Sequence, residues 1–127
     1  MILLDTQLLL WAAMAPDRLA SRTRQLIEAR EQPITFSHAS LWEVAIKSSL
    51  GHPDFSVDAK LLHDGLLRAG FAELVIRPEH LFAVAVLPWH HRDPFDRLLL
   101  AQAKVEAGSL LTVDRMLKAY GRFVRAG

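Results

Sequence analysis

The sequence contains no cysteine among its 127 residues. Disulfide bonds, zinc–thiolate sites and thiol catalysis are therefore excluded, and we expect a reducing cytoplasm as the compartment. The chain also lacks an excess of either charge, because 15 basic residues face 14 acidic ones and leave a net charge of +1. This balance gives no attraction of the whole protein for nucleic acid, so any contact with RNA or DNA must come from local charge.

Long apolar runs are missing as well. No segment is apolar over enough residues to span a bilayer, so we expect no membrane partner. The stretch from Met1 to Met14 is apolar enough to suggest a signal peptide, but it has no basic start, and Asp5 and Gln7 interrupt it. We interpret it as a buried strand followed by a helix.

The pattern that is present is an alternation of short apolar strands with helices. A composition of 51% hydrophobic and 23% charged residues is typical of a globular protein, and the length corresponds to one domain. Strands are predicted at residues 2–4, 33–36, 74–76 and 110–113, with a last edge strand near 123–124 only weakly indicated. Helices are predicted over residues 6–14, 20–31, 38–50, 57–69, from 78, 94–108 and after 114. The alternation predicts an α/β fold, a three-layer α/β/α domain around a short central parallel sheet of four to five strands.

Four acidic residues stand where such a fold would bring them together. Asp5 and Asp114 each follow an apolar strand, whereas Glu43 and Asp96 each interrupt an apolar helical stretch. Ligands of open parallel sheets lie beyond the carboxyl ends of the strands. If the fourth strand lies beside the first, all four acids meet at that edge. Gathered carboxylates repel one another unless a cation binds them, and an all-oxygen site selects Mg²⁺ or Mn²⁺ over zinc or copper. The cluster therefore predicts metal-dependent chemistry on a phosphate ester.

Each acid also has a local explanation, which the sequence leaves open. Three of them can cap the helix that follows: Asp5, Asp93 and Asp114. Glu43 can pair with Lys47 one turn later. Asp96 can stabilise the first turn of its helix through the helix dipole.

Other polar residues near the acids have supporting roles at most. The hydroxyls of Thr6 and Thr112 can hold a carboxylate or a metal-bound water, with simple packing as the alternative. Arg97 can contact phosphate or neutralise the acids. His90 and His91 are adjacent in a loop and can bind a metal or contact phosphate, but neighbouring histidines rarely chelate one ion, so we interpret them as solvent-exposed.

Four segments of the chain resemble the PIN-domain family, in particular the toxin ribonucleases of bacterial VapBC-type toxin–antitoxin pairs. They occur in the order typical of that family and extend over most of the sequence: residues 2–6 (ILLDT), 40–47 (SLWEVAIK), 91–103 (HRDPFDRLLLAQA) and 111–114 (LTVD). The third segment is the most specific. The resemblance implies a single PIN-like domain over residues 1–127.

The same resemblance implies an activity and a set of site residues. Asp93 matches an extra acid that can be a peripheral metal ligand, and Thr112 matches a polar residue common before the last acid. The family's catalytic, metal-binding quartet corresponds to Asp5, Glu43, Asp96 and Asp114. The implied activity is a Mg²⁺- or Mn²⁺-dependent endoribonuclease, in which a metal-activated water attacks the phosphodiester in line and leaves 5′-phosphate and 3′-hydroxyl ends.

Partners follow from the resemblance too. They are an RNA substrate, a cognate antitoxin from the same operon and a second copy of the chain, with DNA contacted only through the antitoxin. One alternative is a non-catalytic PIN-fold module for binding or regulation. A small Mg²⁺-dependent phosphatase is another, although that class needs a second acid soon after Asp5 and none occurs before Asp17.

Overall fold

The computed structural model describes residues 1–127 and contains five parallel strands in the order β3-β2-β1-β4-β5. The strands are β1 (Ile2–Leu4), β2 (Ile34–Ser37), β3 (Ala72–Leu74), β4 (Ser109–Thr112) and β5 (Val124–Ala126). The helices are α1 (Thr6–Met14), α2 (Ser21–Ala29), α3 (His38–Ser49), α4 (Ala59–Arg68), α5 (Pro78–Ala85) and α6 (Pro94–Val105). Two 3-10 turns cover Pro16–Arg18 and Arg115–Tyr120. The predicted α/β class with a central parallel sheet is confirmed.

Helices cover both faces of the sheet, and this explains why β1 is apolar at every position. Ile2 and Leu4 point to one face and join a core that includes Leu8, Ile27 and Leu66. Leu3 points to the other face and joins a second core, which includes four consecutive residues of α6, Leu98, Leu99, Leu100 and Ala101. A strand buried on both sides cannot alternate with polar residues, so the run Ile2-Leu3-Leu4 is a consequence of the three layers.

The pairing of β1 with β4 decides where the chain can build a site. Leu4 lies opposite Leu111, and the backbone N–H of Asp5 extends the ladder by donating to the carbonyl of Leu111 at 3.0 Å. The first and fourth strands are therefore neighbours, as the sequence analysis required for the acids to meet. Both strands end at the same edge of the sheet, immediately before Asp5 and Val113.

Several helix ends differ from the prediction by one to three residues, α6 for example ending at Val105 rather than at 108, and three further elements differ in position, type or strength. Strand β3 lies two residues earlier than expected, because its partner β2 ends at Ser37, which caps α3 and pairs with Leu74, so Val75 and Ile76 have no strand to continue on. The segment after Asp114 is a 3-10 turn rather than an α-helix. A fifth strand does form, although Val124 is its only buried residue, which explains its weak sequence signal. None of the helices has the length and apolar character that a bilayer crossing requires.

Candidate metal and catalytic site

Asp5 lies at the junction of β1 and α1, where both of its carboxylate oxygens are hydrogen-bonded. Oδ1 caps α1 by accepting the N–H of Leu8 at 2.8 Å. Oδ2 accepts the hydroxyl of Thr112 at 2.5 Å and the N–H of Val113 at 3.1 Å, both from the end of β4. The residue is only 5% exposed. The carboxylate is therefore held in one orientation by two adjacent strand ends.

Thr112 connects this carboxylate to the next acid. Its hydroxyl donates to Asp5 and also accepts the backbone N–H of Asp114 at 3.0 Å. Asp114 caps the 3-10 turn through Oδ1, which accepts the N–H of Met116 at 3.0 Å. Its other oxygen, Oδ2, lies 3.9 Å from Nε2 of His91. We call the region where the four acids converge the acidic pocket: Asp5, Glu43, Asp96 and Asp114.

The start of α6 contributes a third acid. Asp93 caps the helix by accepting the N–H of Asp96 at 2.9 Å. The side chain of Asp96 turns to His91, whose Nε2 lies 2.9 Å from Asp96 Oδ2. The His91 side chain is only 15% exposed, so the interpretation of this residue as part of a solvated loop is wrong. The surrounding loop turns its imidazole into the acidic pocket, in contact with two of the acids.

Glu43 reaches the pocket from α3. It is 9% exposed, and its Oε2 lies 2.9 Å from Nζ of Lys47, so the pair considered in the sequence analysis does form. The carboxylate nevertheless lies near enough to Asp5 to affect its titration. Ser40 lies one turn before Glu43 in α3, and its Oγ accepts the hydroxyl of Thr6 in α1 at 2.9 Å. The position of Glu43 is thus coupled to the helix that Asp5 caps.

The pKa values of Asp5 and Asp96 show that neighbouring acids influence one another. Burial raises the pKa of Asp5, against the opposing hydrogen bonds from Thr112, Leu8 and Val113, and the charge of Glu43 raises it further. Burial also raises the pKa of Asp96 to about 6, with the charges of Asp93 and Asp5 adding to the shift and His91 opposing it. Loss of hydration is the main cause in both cases, and repulsion between carboxylates is the smaller one.

Arg97 has a different role from either one considered for it. It is 3% exposed, and its guanidinium donates to the backbone carbonyls of four residues, Val84, Leu87, Pro88 and His91. The guanidinium also contacts the hydroxyl of Tyr120 at 3.3 Å and lies 3.8 Å from the centre of the Trp89 ring. These contacts leave it unable to reach phosphate or to neutralise an acid. Arg97 instead supports the loop that carries His91.

Tyr120 completes this support and was not singled out from the sequence. Its hydroxyl accepts the N–H of His91 at 3.0 Å and donates to the carbonyl of Pro88 at 2.7 Å. The signals available in the sequence were an arginine inside an apolar helix and a single tyrosine in the whole chain. Neither signal identifies a loop thirty residues away as the partner.

The donor set of the pocket fits a hard divalent cation. Carboxylate oxygens arrive from four elements, and the basic side chains in contact with them are Lys47 at Glu43 and the imidazole of His91. Oxygen ligands with an excess of negative charge match the preference of Mg²⁺ and Mn²⁺. Asp93 lies beside this set, with its Oδ1 used by the cap of α6.

The family profile described as PIN domain matches residues 2–122 of the sequence. The chain belongs to the PIN domain family. Among solved structures, VapBC2 from Rickettsia felis, bound to a DNA fragment from its promoter, is 17% identical with a TM-score of 0.72, and the match covers 100% of this chain and 99% of that one. FitAcB from Neisseria gonorrhoeae is 19% identical with a TM-score of 0.56, over 90% of this chain and 88% of that one. No curated protein sequence matches the chain.

A second concavity of this PIN domain has a different chemistry. A cleft of about 390 Å³ lies between the end of α1 and α4, with mostly hydrophobic walls that include Met14, Leu61 and Phe71. Asp58 is its only charged lining residue, and its Oδ1 caps α4. The cleft offers apolar surface rather than ligands for a cation or a phosphate.

Proposed function

We propose that this PIN domain is a Mg²⁺- or Mn²⁺-dependent endoribonuclease and the toxin of a toxin–antitoxin pair. The observation that carries the proposal is the acidic pocket, on which carboxylates from four separate elements converge, two of them buried and two partly exposed. Burial raises the pKa of Asp5 and of Asp96 there. A fold that needed these acids only as caps and ion pairs would have no reason to bring them together.

Four residues would hold the cation, with Asp93 as a peripheral ligand: Asp5, Glu43, Asp96 and Asp114. When bound, the cation supplies polarisation of the phosphoryl group and a lowered pKa for an attacking water. The protein contributes orientation. Thr112 and the N–H of Val113 fix Oδ2 of Asp5, and the Thr6–Ser40 hydrogen bond fixes the helix that carries Glu43.

His91 can donate a hydrogen bond to the acids. Its Nε2 lies within hydrogen-bonding distance of Asp96 Oδ2, so a proton on Nε2 is held between the imidazole and the carboxylate. Such a proton partly offsets the repulsion among the acids before a cation binds. Buried surroundings at Asp5 and Asp96 also keep bulk water from screening the charges that act on a substrate.

Surface features near the acids suit an RNA strand better than a small phosphate. Trp42, which precedes Glu43, is 55% exposed and packs edge-on against Phe95, which precedes Asp96, with ring centres 5.0 Å apart. Exposed aromatic rings can stack on nucleic-acid bases. Exposed basic residues also occur close to the acids in sequence, at Arg92 and Arg115, and can contact backbone phosphates.

The partners are inferred from the structural neighbours. The names VapBC2 and FitAcB describe complexes, and the fold of the present chain corresponds to nearly the full length of the matching chains. We infer a cognate antitoxin, a homodimer and contact with DNA only through the antitoxin, in the cytoplasm. This inference depends on the shared fold and on the toxin resemblance of the four sequence segments.

The test compares two matched Asp→Asn substitutions in the purified, antitoxin-free protein. Asp96→Asn removes a pocket carboxylate with little change of shape, so RNA cleavage in the presence of Mg²⁺ or Mn²⁺ should fall by about 100-fold or more. Growth arrest on expression should disappear with it. Asp54→Asn changes an exposed acid in the loop before α4 and should leave both unchanged.

Cleavage that survives Asp96→Asn would place the active site elsewhere. A wild-type protein that cuts no RNA with either ion would favour the non-catalytic module. Turnover of a small phosphate monoester, without RNA cleavage, would favour the phosphatase.

A further inference from the structure

A second group of imidazole and carboxylate side chains lies at the outer edge of the sheet, away from the acidic pocket. We call His38, His63 and Glu73 the edge cluster. His38 begins α3, His63 lies in α4 and Glu73 is the middle residue of β3. Nε2 of His38 and Nε2 of His63 each lie 2.6 Å from Oε2 of Glu73. One donor atom from each residue falls within 4.8 Å of the other two, so three separate elements converge on one point.

The surroundings hold these side chains in place. The ring of His63 packs edge-on against Phe36, with ring centres 5.9 Å apart, and Phe36 is the residue paired with Glu73 across the β2–β3 ladder. Nδ1 of His63 lies 3.6 Å from Oδ1 of Asp64. For an ion to bind, Nε2 must release the proton that it shares with Glu73, and a carboxylate beside the outer ring nitrogen favours a proton there instead, which is the usual arrangement around a metal-ligating histidine.

Charge and access also suit a cation. Glu73 has no ion pair with lysine or arginine, since both of its partners are histidines. A metal ion bound between the three residues can neutralise the carboxylate of Glu73. The side chains of the three residues are 38%, 30% and 30% exposed, which leaves room for an ion to enter and for water to complete its coordination.

We propose that the edge cluster binds a borderline divalent cation of the first transition row, with Zn²⁺ as the reference ion, through Nε2 of His38, Nε2 of His63 and the carboxylate of Glu73. Two imidazoles and one carboxylate are a characteristic three-ligand zinc set, and they disfavour Mg²⁺ and Ca²⁺, which prefer oxygen ligands alone.

The geometry requires only a small adjustment. Tetrahedral bonds of about 2.0–2.1 Å place neighbouring ligand atoms about 3.3 Å apart, so each 2.6 Å contact must open by less than about 1 Å. Rotation of the partly exposed Glu73 side chain on an edge strand can provide that change. The bound ion would then link β3 to the first turn of α3 and to α4.

This site is independent of the proposed nuclease function. Strand β3 is separated from β1 by β2, which places the edge cluster about 10 Å along the sheet from the strand that leads to Asp5. The donors differ as well, since the acidic pocket supplies mainly oxygen. Failure of the nuclease proposal would therefore leave the edge cluster untouched, and the reverse also holds.

The experiment measures Zn²⁺ binding by titration calorimetry on the full chain, freed of metal and carrying no polyhistidine tag. The double variant His91→Gln, Asp96→Asn serves as the background, because His91, Asp96 and Asp114 are also close enough to capture zinc. This background should bind one Zn²⁺ per chain, and Mg²⁺ in excess should not compete. X-ray absorption should report two imidazole nitrogens at about 2.0–2.1 Å from the ion.

Substitution within the edge cluster decides the outcome. His63→Gln and, as a second variant on another element, Glu73→Gln should each weaken Zn²⁺ binding by more than about 100-fold, beyond the loss expected for an outer hydrogen-bond partner. His52→Gln, at an exposed loop histidine, is the matched control and should bind as the background does. Unchanged affinity in both cluster variants, or no Zn²⁺ binding by the background, would overturn the proposal and leave the cluster a hydrogen-bonded bridge.

Discussion

The acidic pocket and the edge cluster both set an imidazole against a carboxylate, with opposite results. In the pocket, His91 lies 2.9 Å from Asp96, yet the pKa of Asp96 is raised to about 6. At the edge, two histidines lie 2.6 Å from Glu73, and their hydrogen bonds lower the pKa of that carboxyl. The pairs are alike in chemistry and similar in distance.

The difference lies in what surrounds each pair. Asp96 is largely removed from water and faces the charges of Asp93 and Asp5, so burial and repulsion outweigh the favourable contact with His91. Glu73 remains in contact with solvent and has no acid opposing it among the main influences on its pKa. A hydrogen-bond partner alone therefore does not determine how a carboxyl group titrates, because hydration can reverse the sign. The pocket carries a destabilising charge that a cation would relieve.

The largest expected effect on stability comes from replacing Arg97, which holds the loop that carries His91. Arg97→Met removes a guanidinium that donates to four carbonyls, only two of which keep another donor. We expect a loss of about 3–4 kcal/mol in the free energy of unfolding, since each hydrogen bond from a charged donor contributes about 1.5–3 kcal/mol. Urea denaturation measures it. Arg24→Met, at an exposed arginine paired with Glu28, should change the stability little by comparison.

A second, smaller effect concerns pH. Because the pKa of Asp96 is higher in the folded chain than its ordinary value of 3.8, the folded state binds more protons between about pH 4 and about pH 6. This contribution to stability is complete below about pH 4 and is lost as the pH rises through 6. At about 1.4 kcal/mol per pKa unit, the metal-free protein should lose about 2–3 kcal/mol from this group.

Asp96→Asn isolates that loss, since asparagine resembles the protonated acid. With a chelator present, the variant should match the wild type near pH 4 and exceed its unfolding free energy by about 2–3 kcal/mol above pH 6. A difference that stays constant from pH 4 to pH 7 would show that the Asp96 carboxyl is not perturbed.

The smallest effect on stability is expected at the edge cluster, where the pH dependence has the opposite sign. The pKa of Glu73 is lowered, so its contribution to stability is present above the ordinary value of 4.5 and is lost as the pH falls through the folded value. Glu73→Gln, measured with a chelator, should therefore be less stable than the wild type at neutral pH, by below about 1 kcal/mol because the site is exposed. The deficit should vanish in acid. Glu31→Gln, at an exposed glutamate, should show no such pH-dependent deficit.

Much of the fold was predictable because it depends on local patterns. The apolar run of β1, the cap at Ser37 and the apolar α6 determine strands, helices and layers in a way that hydrophobic periodicity reveals. The bounds of β3 were not predictable, since they depend on where its neighbour β2 stops. The weak β5 likewise depends on pairing with β4 through one buried valine.

The candidate site was predictable to the extent that topology alone assembles it. Strand ends at Asp5 and Asp114 meet because β1 and β4 are adjacent, and the sequence shows both ends. The place of His91 depends on Arg97 and Tyr120, which hold its loop by hydrogen bonds to backbone atoms. Backbone contacts of this kind leave no pattern in side-chain spacing, so the sequence could not reveal them.

The two explanations for the acids, local helix capping and a shared metal site, are compatible. Asp114 uses Oδ1 for the first turn of the segment that follows and directs Oδ2 to the pocket. Asp5 also caps its helix through Oδ1, whereas its Oδ2 accepts hydrogen bonds from the end of β4. Capping and clustering engage different atoms of one carboxylate, so evidence for a cap is not evidence against a metal ligand.

This sharing of atoms affects how relatives of the chain should be compared. A relative that lost the proposed nuclease activity would still be selected to keep Asp5, Asp93 and Asp114, because each one caps a helical segment. Glu43 and Asp96 cap none, and without a bound ion each is favoured by a single ionic contact. Across homologous sequences, substitution at these two positions would therefore mark relatives that have lost the proposed activity, whereas the three capping aspartates would persist in active and inactive lineages alike.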